Sequence, residues 1–181
     1  GLQGAVMVGF IGGLLSASSY TDNTLRYIAI KQTLEWKIDP DPTKREKITM
    51  EEFLSKVTDL CAKIDNRDLR ISTKIDKDDL NSLRQSCNVP LDSRIIALID
   101  ITTIGCCEKS LVLTSEGLHW NNGDTVGFCQ WRDLANLDVK SGDSKYTVML
   151  GDDELNTAGS SMDQPDVLLL LSTLQYYSYF L

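Results

Sequence analysis

With 181 residues, 42% of them hydrophobic and 24% charged, the chain has the composition of a globular protein rather than a disordered or fibrous one, with room for one sizeable core. A formal charge of −8 opposes the phosphate attraction on which nucleic-acid and anionic-membrane binding depend, so no nucleic-acid partner is expected. Five cysteines, an odd count without regular spacing, make a poor disulfide framework and fit reduced thiols in a cytoplasmic protein.

The chain opens with an apolar run from Ala5 to Leu15, interrupted by Gly9, Gly12 and Gly13. The run is shorter than the roughly 20 apolar residues that cross a bilayer, and it lacks the basic leader of a secretory signal. A packed or partner-binding segment is the simpler expectation over residues 1–19, with a membrane-lying segment and a processed remnant as the alternatives. No Lys-Ser or Lys-Thr follows Gly13, so these glycines do not form a phosphate-binding loop. From Tyr27 to Ile38, residues Ile28, Ile30, Leu34, Trp36 and Ile38 share one parity and predict a strand. A helix is the alternative there, because Leu25, Ile28, Ala29, Gln32 and Trp36 share a helical side. Asp39-Pro40-Asp41-Pro42 ends any regular element, since proline lacks the backbone donor and restricts its predecessor.

Thr49 followed by Glu52 fits a capping box, and Phe53, Val57, Leu60, Cys61 and Ile64 recur at helical spacing, which predicts an amphipathic helix. A shorter helix is expected from Asp76, with Leu80, Leu83 and Cys87 as its stripe, ending before Pro90. Asp76, Asp78 and Asp79 do not make a calcium loop, because neither the glycine nor the closing glutamate of that loop is present; carboxylates at a helix start complement its dipole.

Beyond Pro90 the period changes. Strands are predicted over Arg94 to Thr103, Lys109 to Thr114, Leu118 to Asn121, Thr125 to Trp131, Leu134 to Lys140 and Lys145 to Leu150, with a short seventh around Glu154 to Thr157. Ser115-Glu116-Gly117 and Ser141 to Ser144 read as turns. Asn122-Gly123 reads as a tight hairpin turn, because both residues tolerate positive φ. Asp163 and Pro165 then open a last helix with Val167, Leu170, Leu171, Leu174 and Tyr177 as its stripe. Leu169, Tyr176 and Phe180 add a second apolar flank, so this helix should be covered from two directions, by the sheet and by the N-terminal helices or a second subunit.

Six or seven antiparallel strands followed by one helix, with the wording SRIIALIDITTIG, KSLVLTSEGLHW and FCQWRDLANLDV, resemble the pleckstrin-homology-like (PH-like) domains of bacteria. The residues that carry the resemblance are Leu113, Thr114, Gly117, Leu118 and Trp120, then Trp131, Asp133 and Leu134. The resemblance spans about residues 89–181 and implies an antiparallel β-barrel or sandwich capped by the C-terminal helix; residues 1–88 lie outside it and read as a small, mainly helical N-terminal region of an apolar segment, the strand or helix over Tyr27 to Ile38 and two helices, which makes the chain α+β. The resemblance bears on fold more than on function. Lipid-binding members gather basic side chains in the first hairpin loop, whereas TTIGCCE over residues 102–108 leaves only Lys109 beside it, so phosphoinositide binding is not expected.

His119 is the single histidine. If Leu111, Leu113, Leu118 and Trp120 point inward, alternation sends Val112 and His119 to the opposite face, and His119 is expected to be a structural or surface residue. A soft metal site from Cys106, Cys107, His119 and Cys129 has suitable ligand types, but the spacing matches no common zinc motif. A redox role for Cys106 and Cys107 competes with the ordinary behaviour of buried thiols as small apolar groups. No Gly-x-Ser-x-Gly elbow, His-Glu-x-x-His pair or dinucleotide fingerprint occurs, and Asp100, Glu108 and Glu116 read as solubilising charges at turns and strand edges. The expectation is a non-enzymatic interaction or scaffold module without cofactor, bacterial and cytoplasmic, that binds a protein or peptide or a second copy of itself, with Leu169, Tyr176 and Phe180 as contact candidates. A membrane-peripheral protein attached through its apolar start ranks second, and an enzyme or redox-metal protein third.

Overall fold

A computed structural model describes residues 47–102 and 107–181; the expectations for residues 1–19 and for Tyr27 to Ile38 lie outside these. Helix α1 (Met50–Lys63) starts with the predicted capping box, the Thr49 side chain accepting from the Glu52 amide while the Glu52 carboxylate accepts from the Thr49 amide. Strand β1 (Leu69–Ile71) and one 3-10 turn (Ser72–Lys74) lead into α2 (Lys77–Ser86), capped by Asp76. Asn88 takes a positive φ of 51° after α2 and lets the Val89 amide reach back to the Arg84 carbonyl, which ends the helix before Pro90.

Four strands follow: β2 (Ile95–Asp100), β3 (Ser110–Thr114), β4 (Gly117–Asn121) and β5 (Val126–Gln130). With β1 they form one antiparallel sheet in the order β1-β2-β3-β4-β5. A one-turn helix α3 (Trp131–Leu134) separates it from an antiparallel three-stranded sheet of β6 (Val139–Ser141), β7 (Thr147–Leu150) and β8 (Asp153–Asn156). Helix α4 (Gln164–Ser178) closes the chain, with the Asp163 side chain accepting from the Asp166 amide and Pro165 in the first turn as expected.

Three expectations need correction. The fourth strand does not run into Trp131, nor does a fifth begin at Leu134, because these residues form α3: Trp131 is fully buried against Phe53, at 5.1 Å between ring centroids, and donates from Nε1 to the Thr114 carbonyl. A helical turn lets Trp131 and Leu134 both face the core, which an extended chain would not allow. The hairpin after β4 is also wider than a tight turn. Only Gly123 has positive φ (99°), and the Asn122 Oδ1 accepts from the Asp124 and Thr125 amides. Finally, the eight strands stay in two sheets, with no barrel closed by a β5–β6 ladder among the described residues. Side chains join the sheets instead: the Trp120 indole donates to Asp153 at 2.8 Å, Thr125 to Asp153 at 2.9 Å, and Asn122 to the Glu154 carbonyl. The indole lies directly across Gly127, where a Cβ would come within 2.0 Å of the ring.

The main core lies between the five-stranded sheet, α1 and α4. It holds Phe53, Val57, Leu60, Leu111, Leu113, Leu118, Trp131, Leu134, Leu170 and Leu174. Helix α4 is covered by the three-stranded sheet on one side and by α1 on another. Strand β1 and α1, which precede the expected division at 88/89, belong to the same sheet and the same core as the residues beyond it.

Candidate functional site

The antiparallel registers align the side chains of the five-stranded sheet into rows, because residues opposite one another share a face. On the face away from the main core, one row runs Arg70, Leu98, Val112, His119, Phe128 and a second runs Asp100, Ser110, Asn121, Val126. Helix α2 lies over this outer face. Its Leu83 and Cys87 pack with Leu98 and Val112, and the Asn121 side chain donates to the Ser86 carbonyl at 2.6 Å.

At the β1 end of the rows sits a polar cluster. Arg70 donates to Asp79 of α2 at 2.6 Å and to the Cys107 sulfur at 2.8 Å, and lies 3.6 Å from Asp100. Asp100 is buried, contrary to its reading as a solubilising charge; it accepts from the Thr102 amide and hydroxyl and from the Cys107 thiol at 3.4 Å. Burial, with Asp100 beside it and Arg70 opposing, pushes the Cys107 thiol up to about 12. The thiol therefore keeps its proton and acts as a donor. Burial works against the Arg70 charge, but the bonds to Asp79 and Cys107 outweigh it and hold its pKa above the usual value. Arg70 ties β1, α2 and the β2–β3 connection together.

At the middle of the row, His119 does turn away from Leu118 and Trp120, as alternation requires. It is nevertheless 3% exposed, because α2 and Phe128 cover it. Its ring lies 4.4 Å from that of Phe128, and neither nitrogen has a hydrogen-bond partner of good geometry. Burial lowers the imidazole pKa, and the nearby Cys87 backbone offsets only part of that effect. The ring is thus a neutral filler at neutral pH, and the surface alternative for this residue does not hold.

The four metal candidates do not converge. Cys106 lies outside the described residues. Cys107 and His119 belong to the outer face, while Cys129 stands opposite Leu118 on the core side. Among the described residues no group of three or more His, Cys, Asp or Glu side chains is arranged to hold a metal ion. Burial raises the thiol pKa of Cys61, Cys87 and Cys129 as well. Of the contact candidates, Leu169 and Phe180 are buried within the chain, and Tyr176 packs edge-on against Phe180 at 5.3 Å.

Two half-exposed apolar side chains stand together on β5. Among the described residues this strand is an edge of its sheet, and Val126 and Phe128 are both 45% exposed. The Asn122 amide bonds to the Thr125 carbonyl and the Trp131 amide to the Glu116 carbonyl. By alternation Gly127 and Cys129 face β4, while the amides and carbonyls of Val126, Phe128 and Gln130 point away from it. The strand reads VGFCQ and carries no charge. The edges of the smaller sheet differ: β6 carries Lys140, and β8 carries Asp153 and Glu154, charges that discourage pairing with another chain.

No family model, curated protein or solved structure matches the chain. Sequence reasoning missed Arg70 and Asp79 as partners, since a three-residue strand shows no period. It reached strand addition at an open edge in general terms but did not single out β5, although the uncharged VGFCQ run was a readable signal.

Proposed function

We propose that this chain is a non-enzymatic contact module of PH-like build that binds an extended segment along β5. The observation that carries this reading is the row of outward backbone groups on an uncharged edge strand, flanked by half-exposed Val126 and Phe128. Strand addition uses such groups for affinity and alternate side chains for specificity. The order of four antiparallel strands β2 to β5, then three strands, then a helix supports the PH-like build. The neutral buried imidazole and protonated thiols favour a binding role over covalent or acid–base chemistry. Selection from a random peptide library tests the proposal. Enriched peptides should alternate apolar residues and lose binding to both the Phe128→Lys and Val126→Lys variants. Failure to enrich any peptide, or binding indifferent to both substitutions, would overturn it.

A further inference from the structure

Resting on this reading of β5 as an open edge, we infer that the segment it takes is β5 of a second copy, joined antiparallel about Phe128 so that two five-stranded sheets become one. Three features of the strand fit this occupant. The outward backbone groups belong to Val126, Phe128 and Gln130, which are symmetric about Phe128. Pairing Phe128 with Phe128 therefore also matches Val126 with Gln130 on both sides, and every outward donor meets an acceptor. Opposite charges lie just beyond the two ends of the strand: Asp124 is four residues before Phe128, and Arg132, beside Asp133 in α3, is four residues after it. Both are exposed, and neither makes an ion pair among the described residues. Antiparallel pairing places each copy's Asp124 end against the other's Arg132 end, whereas parallel pairing would set like charges together. The net charge of −8 opposes the approach of two copies, and such local matching offsets part of that repulsion.

The third feature is continuity of the outer face. A two-fold axis through Phe128 and normal to the sheet keeps both copies' Phe128 side chains on that face, so the row of Val112, His119 and Phe128 continues into the same row of the partner. The half-exposed phenyl ring of each copy then joins a cross-strand aromatic pair, an arrangement that stabilises neighbouring strands. An isologous contact of this kind closes on itself and does not propagate into fibres.

Sedimentation velocity over a wide dilution series tests this with the full chain. The wild type should pass from 20.2 kDa to twice that mass, and the amides of Val126, Phe128 and Gln130 should gain hydrogen-exchange protection on concentration. Asp124→Arg and Arg132→Asp should each be monomeric alone, since each sets like charges at both ends of the pair. Mixed together, they should recover the dimer. Exposed charges of this kind leave the fold intact, and an unchanged melting temperature checks this for both variants. A monomeric wild type, dimers of either single variant as stable as the wild type's, or no recovery on mixing would overturn self-pairing. If library peptides still bind the edge of a monomeric chain, the contact-module reading stands and only the second copy is excluded. If they do not, both fall.

Discussion

The inner face of the five-stranded sheet is made of Ala97, Ile99, Leu111, Leu113, Leu118 and Trp120 packed against α1 and α4, whereas the outer face sets Arg70, Asp100, Ser110, Asn121 and His119 among Leu98 and Val112 beneath α2. Both faces exclude water over the middle of the sheet, but by different means. The inner face needs only shape, because it contributes few polar groups. The outer face must satisfy what it buries, and it does so at Arg70 and Asp100 but not at His119. A covered polar face holds α2 in one position through directional bonds, where an apolar one would tolerate sliding.

The sharpest test of this contrast is a truncation of the inner face. Leu111→Ala removes a fully buried side chain and should cost about 3–5 kcal/mol, read from urea unfolding with an unchanged slope. On the outer face Arg70→Met should cost about 3 kcal/mol, because it strands the buried Asp100 without its cation. Combining it with Asp100→Leu should restore most of that loss, which no inner-face pair would do. A surviving deficit in the double variant would mean that the cluster contributes more than mutual compensation.

His119→Phe should act in the opposite direction, gaining about 1 kcal/mol at neutral pH because an unpartnered polar ring is replaced by an apolar one. Its pH dependence follows from the lowered pKa. The unfolded chain takes up a proton near the ordinary value of 6.5, while the folded chain resists until lower pH. The wild type therefore has this contribution in full above 6.5 and loses it as pH falls towards the folded-state pKa. Melting temperatures measured from pH 7.5 to 5 should show a fall that the variant lacks. The smallest effect is expected from Lys140→Ala, whose partner Asp138 is exposed. No change beyond measurement error should appear in the same unfolding curves, since a solvated pair of this kind contributes little.

Much of the local structure was legible. The Thr49 and Glu52 reciprocal cap, the Asp163 and Pro165 helix start, and the alternation through β2 to β4 each sit within a few residues of chain, and each appears in the fold. Three of the residues quoted for the PH-like resemblance meet in space: the Thr114 hydroxyl accepts from the Gly117 amide, as from that of Glu116, to hold the β3–β4 turn, and the Thr114 carbonyl accepts from Trp131. The site was less legible. The face chosen for His119 was correct, yet its burial depends on α2, more than thirty residues earlier. Asp100 looked like a surface charge because its partner Arg70 stands on a strand too short to show alternation.

The order of amino acids by itself determined where the three longer helices begin and how the side chains of β2 to β4 alternate, because caps and periodicity act between residues a few positions apart. Only the tertiary structure decided that α2 covers the second face, that Trp131 turns into a helix to reach Phe53, and that β5 lies at the edge of its sheet among the described residues. Those outcomes depend on contacts between distant segments, whose stability arises from burial and pairing that no short stretch contains.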